Sequence, residues 1–287
     1  VEHAALSNGI PIVLARRTGV PKVLVNLSFD AGYAADAQDG PGTQSLMMSL
    51  LDEGTENLNA TQIAEEQERL GASIGAGAGV DSSAVTLSAL TPNLQPSLDL
   101  LADLVLHPAF REDDVKRARD KRLADIAQSQ ASPRALASRS LNPILFGPAH
   151  PYGQPGDGLG DARSVAALTP ASLRAAQGKW LRADNVTITV VGDVTMEQLK
   201  PMLEASFGAW RAPAGARPVK AIDAAIPAPQ PRIVLIDRPN SPQSVIVAGR
   251  VLPVTGRQQG LEALDLANEV LGNGFLSRLN LNLREDK

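Results

Sequence analysis

Short alternating apolar runs and longer helical stripes take turns along the whole chain. Residues 6–16 read as a β-hairpin, with Asn8-Gly9 supplying the positive φ angles of a tight turn. An apolar, β-branched strand follows over 23–31, then a break at Gly40-Pro41-Gly42, then a strongly apolar helix over 43–51. A second helix is expected over 61–70. Asn59 and Gln62 stand at capping-box spacing at its start, and Gly71 sits where a left-handed residue ends a helix. Strands are expected over 72–78 and 84–90; in the second, Val85, Leu87 and Ala89 alternate with Thr86 and Ser88. Thr91-Pro92 opens a helix with Leu94, Leu98, Leu101 and Val105 on one face. A long charged helix spans 113–130, Ser132-Pro133 begins another, and 147–161 is a Gly/Pro loop. Thr169-Pro170 caps a further helix, 186–191 reads as a buried strand, and Thr195 with Gln198 opens one more helix.

Between 212 and 231 stand Pro213, Pro218, Pro227, Pro229 and Pro231, a density that sustains neither a helix nor a central strand. Beyond this linker, 232–237 and 244–251 read as strands and 261–271 as a helix, which restarts the opening order. The predicted organisation is a domain over 1–211, a linker over 212–231, and the start of a second, similar domain over 232–287. Strand pairs interleaved with helix pairs predict an α+β fold with a mostly antiparallel sheet. The chain opens on Val1 and closes on Arg284-Glu285-Asp286-Lys287 directly after an amphipathic run, so both ends are expected to be cuts inside a longer product.

Composition narrows the chemistry. Hydrophobic residues make up 44% of 287 positions but aromatics only 3%, so aliphatic side chains must fill the core. There is no cysteine, which excludes disulfides, thiol catalysis, iron–sulfur clusters and thiolate zinc sites. A net charge of −4 gives no reason to expect nucleic acid or an anionic membrane as partner. No apolar run approaches the roughly 20 residues of a membrane span. A metal would need His, Asp and Glu. Of the three histidines, His3 stands at the chain start and His107 and His150 each precede a proline, with no Glu at helical spacing. No serine stands in a G-x-S-x-G turn, which sets aside a serine hydrolase of that type.

The most informative stretch is Gly42-Thr43-Gln44-Ser45-Leu46-Met47-Met48-Ser49-Leu50-Leu51-Asp52-Glu53-Gly54-Thr55. Before it come the Asn-Gly hairpin and Leu27-Ser28-Phe29-Asp30-Ala31-Gly32. After it come Ala72-Ser73-Ile74-Gly75-Ala76, then Asp184-Asn185-Val186 with Val191-Gly192-Asp193. This ordered succession, over essentially the whole chain, resembles the pitrilysin/insulinase family of zinc metallopeptidases, and in particular an inactive, C-terminal half. The resemblance implies a sheet-and-helix domain of the LuxS/mitochondrial-processing-peptidase-like type.

Active members of that family carry H-x-x-E-H on the first helix: two imidazoles one turn apart bind zinc, and the glutamate activates the bound water. Here those positions read Ser45, Met48 and Ser49, and the family's more distant glutamate ligand falls at Asp125. No metal is expected in this chain; zinc is expected in a partner half. Asp125 is expected to be solvated and paired with Lys121 or Arg122, and Met47 and Met48 to be core filling.

Gly75-Ala76-Gly77-Ala78-Gly79 fails as a phosphate loop because strands flank it on both sides. The resemblance makes Gly75, Ala76, Gly77 and Ala78 a sheet edge to which substrate backbone adds as an extra strand; the alternative is an edge merely covered by a partner lobe. At the far end, Arg284 falls where the family has an arginine reaching across a closed clamshell to the opposite zinc site, to bind a substrate carbonyl and support its oxyanion. The alternative is a surface arginine paired with Glu285 or Asp286.

The implied function is that of a non-catalytic half. It forms the wall of a peptide chamber and assists substrate binding for a zinc-bearing half, fused or separate, in a periplasm. The other reading is a purely structural subunit with no part in proteolysis.

Overall fold

The computed structural model describes residues 1–228, 230–239, 241–256 and 258–285. Pro229 of the expected linker and Asp286 and Lys287 of the C-terminal run lie outside them. The chain divides into two compact units, Val1–Gly249 and Arg250–Lys287.

The first unit is built on a six-stranded sheet: β1 (Glu2–Ala5), β2 (Pro11–Arg16), β3 (Lys22–Phe29), β4 (Ser73–Ala78), β5 (Ser83–Leu90) and β6 (Val186–Gly192). Their order is β1-β2-β6-β3-β5-β4, and every pairing but the parallel β2–β6 is antiparallel. The α+β, mostly antiparallel fold is thus present. The opening hairpin forms with a longer first arm than its sequence suggests, and His3 lies in β1 opposite Val13. Gly9 takes φ 89° at its turn, whereas Asn8 keeps a negative φ. Asn8 instead donates Nδ2–H bonds to the carbonyls of Phe207 (2.8 Å) and Trp210 (3.0 Å).

Alternation in the strands decides which face is covered. Val23, Val25, Leu27 and Phe29 of β3 are buried while Leu24, Asn26 and Ser28 face the other way. The same period buries Val85, Leu87 and Ala89 of β5 and Ile188 and Val190 of β6. The helices of this unit are α1 (Asp36–Asp39), α2 (Thr43–Met48), α3 (Ala60–Leu70), α4 (Leu94–Leu106), α5 (Glu112–Ala131), α6 (Pro133–Phe146), α7 (Ala162–Ala166), α8 (Pro170–Trp180) and α9 (Met196–Phe207). α4 packs on β5 and against α9, and α2 packs on the edge strand β4 and on α8. Reciprocal capping boxes close α3 (Asn59/Gln62), α8 (Thr169/Ser172) and α9 (Thr195/Gln198) at their N-termini, and Gly71 ends α3 at φ 62°.

Four expected elements differ in the structure. α2 ends at Met48, not 51, because the backbone tightens there: the N–H groups of Leu50 and Leu51 reach back only to the carbonyls of Met47 and Met48. Thr91 does not cap α4; it opens a 3₁₀ turn over Thr91–Asn93, and its hydroxyl donates to the Asp193 carbonyl at 3.2 Å. Residues 232–237 and 244–251 form no ladder among the described residues. Ile233 is 97% exposed and Ile246 90%, and an extended segment with no neighbour to pair with holds no strand.

The second unit contains α10 (Leu261–Asn268), a π-helical turn over Glu269–Asn273, α11 (Arg278–Asn280) and a further π-helical turn over Leu281–Glu285.

Candidate functional site: a degenerate metal motif beside a sheet edge

α2 starts from a left-handed glycine. Gly42 has φ 99°, and a Cβ there would meet the Leu159 carbonyl at 2.8 Å and Val165 Cγ2 at 2.9 Å, so glycine is required twice over. The helix has no side-chain cap of its own. Its first N–H groups are taken by Asp36, which is 1% exposed: Oδ2 accepts from Gly42 at 2.8 Å and Oδ1 from Gln44 at 2.9 Å. Burial pushes this carboxyl up to about 7 despite those bonds, with Asp39 adding to the rise and Arg122 opposing it. Gln44 is fully buried. Its Oε1 accepts from Ser83 Oγ at 3.1 Å, and its Nε2 has no hydrogen-bond partner among the described residues.

The motif positions then go their separate ways. Ser45 Oγ donates to the Gly158 carbonyl and accepts from Arg122 Nη1 at 3.1 Å. Met48 is fully enclosed in the core. Ser49 lies just beyond the helix, exposed, and donates to the Leu46 carbonyl at 2.9 Å. Asp125 on α5 is ion-paired with Lys121 at 2.9 Å, a partially exposed i,i+4 pair. A thioether locked in the core, two hydroxyls already bonded to carbonyls and one neutralised carboxylate do not fit zinc, which takes imidazole, thiolate or carboxylate donors in a tetrahedron. Among the described residues, no three His, Cys, Asp or Glu side chains gather as a metal would need.

A loop straps the site from the α6 side. Arg139, 8% exposed, donates to Asp157 Oδ2 and to the Gly160 carbonyl, both at 2.5 Å. Leu159 N–H donates to Asp157 Oδ1 at 3.1 Å, and Tyr33 Oη donates to the Gly156 carbonyl at 3.3 Å. Gly160, at φ 79°, presses against the Pro41 carbonyl, where no side chain fits.

The expected edge residues Gly75, Ala76, Gly77 and Ala78 lie in β4, the last strand of the sheet, which among the described residues is bonded to β5 on one side only. Gly75 and Gly77 are exposed. The turn after β4 is held by Lys220, a residue of the expected linker that is nearly buried. Its ammonium reaches Asp30 Oδ1 at 2.6 Å, the Ala31 carbonyl at 3.0 Å and the Asp81 carbonyl. Tyr152 Oη donates to Asp81 Oδ1 at 2.8 Å, and burial together with that carboxylate pushes the phenol up to about 12.

Among the histidines, His107 is exposed, and His150 is buried, accepting from Tyr152 N–H through Nδ1 at 3.0 Å and stacking on Phe146. In the second unit, the Arg284 guanidinium lies over the Phe275 ring, 5.3 Å from its centroid.

Sequence reasoning passes over Asp36 and Lys220, and it offers Arg122 only as a partner for Asp125. A carboxylate six residues before a glycine-started helix is a signal for the first. No local pattern marks the bonds of the other two, whose partners are distant in the chain.

Two family descriptions match the sequence: "Insulinase (Peptidase family M16)" over residues 12–150 and "Peptidase M16 inactive domain" over residues 167–287. An uncharacterized zinc protease of Mycobacterium tuberculosis is 26% identical over 294 residues, a match covering 99% of this chain and 64% of the relative. The chain thus spans somewhat under two thirds of that relative's length. Among solved structures, a peptidase M16 inactive domain from Pseudomonas fluorescens superposes with a TM-score of 0.79 at 26% identity, covering 100% of this chain and 68% of that one. The periplasmic protease PqqL from Escherichia coli matches with a TM-score of 0.65 at 19% identity, over 77% of this chain and 25% of that one, a likeness of fold.

Proposed function

The chain belongs to the M16 (insulinase) peptidase family as an inactive half, and we propose that it serves as the non-catalytic wall of a peptide chamber whose zinc lies in another half. One combination carries the reading. The metal positions Ser45, Met48, Ser49 and Asp125 are all engaged elsewhere, yet the adjoining sheet edge at Gly75, Ala76, Gly77 and Ala78 keeps one open side. A fold that has lost its chemistry but keeps a free, small-residue edge beside the lost site can still receive extended polypeptide.

In this proposal the zinc-bearing half is part of the same polypeptide or a separate subunit, the substrate is an unfolded peptide, and the compartment is periplasmic. The domain division at 211/212 and 231/232 belongs to the same proposal. Arg284 supplies a guanidinium to the opposite half, where it binds a substrate carbonyl and supports the developing oxyanion.

The test is peptide turnover by the complete two-half enzyme carrying Arg284→Ala. Turnover is expected to fall by about 10²-fold, the scale of losing one oxyanion donor, while bound zinc stays constant. Unchanged turnover sinks the role of Arg284. Full turnover by the zinc-bearing half without this chain assigns it to the purely structural reading.

A further inference from the structure

Where family members hold a metal, this chain holds a half-buried cation of its own. α5 carries Arg122 one helical turn before Asp125, and its guanidinium is half-buried as it reaches across to α2, where Nη1 donates to Ser45 Oγ at 3.1 Å. Ser45 in turn donates to the Gly158 carbonyl, so the guanidinium, the degenerate helix and the 155–161 strap form one continuous chain of bonds. Three carboxylates act on its charge: Asp125 on its own helix, Asp157 of the strap, and Asp36 of α1, whose side chain binds the first N–H groups of α2. Asp157 and Asp125 have other partners, Arg139 and Lys121; among the described residues, Asp36 is bonded only to backbone N–H groups.

We infer that Arg122 is the resident cation of the degenerate site. It takes the place a metal occupies in active members, and it ties α2, α5 and the 155–161 strap together through Ser45. Asp125 and Asp157 pair with Lys121 and Arg139, and burial raises the Asp36 carboxyl to about 7, so Arg122 adds the positive charge that completes the balance of a partly desolvated region. Arginine suits the post because its fork bonds in several directions while remaining protonated when half-buried. Burial pushes the guanidinium below the usual arginine range, and Asp125, Asp157 and Asp36 oppose that shift without cancelling it.

Zinc is thereby excluded for two reasons, missing ligands and an occupying charge, and restoring the ligands alone does not restore the metal. A dication placed beside a fixed guanidinium is repelled at short range in a poorly screened setting. The role of Arg122 rests on the family assignment and is independent of the chamber role.

The experiment is zinc stoichiometry by elemental analysis of the full chain after dialysis against trace zinc. The variants are S45H/S49H/D125E, which supplies three protein ligands, and the same set with Arg122→Leu or Arg122→Lys added. Thermal melts confirm that each is folded. In the two versions that keep a positive charge at position 122, the original arginine and the lysine substitution, zinc is expected to stay well below stoichiometric. The Arg122→Leu version is expected to rise at least about fivefold, toward one zinc per chain. Equal occupancy in the arginine and leucine versions, whether high or nil, overturns the inference. A lysine version that behaves as the leucine version overturns the charge argument in favour of a steric one. In the otherwise unchanged chain, Arg122→Leu is expected to lower the melting temperature and Arg122→Lys to recover most of the loss; no loss in the Leu variant also overturns it.

Discussion

At the scale of single residues, Asp36 shows how a buried carboxyl can govern a helix that has no cap of its own. In the unfolded chain an aspartate ionises near the ordinary value of about 3.9, whereas here burial raises it to about 7. The folded state therefore keeps a proton that the unfolded state has lost. The resulting stabilisation is complete below about pH 4, declines as pH rises, and is gone above about pH 7. Asp36→Asn is expected to abolish this slope in thermal melts taken from pH 4 to 8. At acid pH, where the carboxyl is itself neutral, the amide is expected to change stability by no more than about 1 kcal/mol. A melt profile with an unchanged slope would show that another group titrates. What the sequence discloses at this scale follows from locality. Asp125 pairs with Lys121 as the i,i+4 rule anticipates. Arg122 finds Ser45 across 77 positions, and Lys220 finds the Ala31 carbonyl across 189, contacts that no local spacing encodes.

Elements are readable where their instructions lie within a few residues. The capping boxes at Asn59, Thr169 and Thr195 all form, because each closes a ring of hydrogen bonds inside a single turn. Thr169→Ala is expected to cost about 1 kcal/mol, measured by denaturant unfolding, through loss of the 3.2 Å bond to the Ser172 N–H. β4 offers a gain instead. Gly77 does not have a positive φ, and a Cβ there meets nothing within 4 Å. Gly77→Thr is therefore expected to stabilise the unit by about 0.5–1 kcal/mol in the same assay. Elements whose existence depends on a partner are not readable in this way. Residues 232–237 and 244–251 have strand-like side chains, but the ladder that makes a strand is a property of two segments, and no pairing exists for them among the described residues. Helix α2 stops short of its apolar run for a related reason: burial, not helicity, is what Leu50 and Leu51 retain.

For the molecule as a whole, the pattern of strands and helices is enough to give the fold class, but not the order β1-β2-β6-β3-β5-β4, which is fixed by one late insertion. β6 enters between β2 and β3, running parallel to the first and antiparallel to the second, and Val190 pairs with both Leu14 and Val25. Before it does, the β1–β2 hairpin and the three-stranded β3–β5–β4 piece are separate, each with an open inner edge. A chain shortened to end at Trp180 is thus expected to lack cooperative unfolding in calorimetry, although it keeps most of the helices. On a ribosome adding about 5–20 residues per second, the stretch from β3 to β6 takes on the order of ten seconds or more to emerge. For that interval the nascent chain exposes two unpaired apolar edges, and its survival depends on what the cell supplies to shield them.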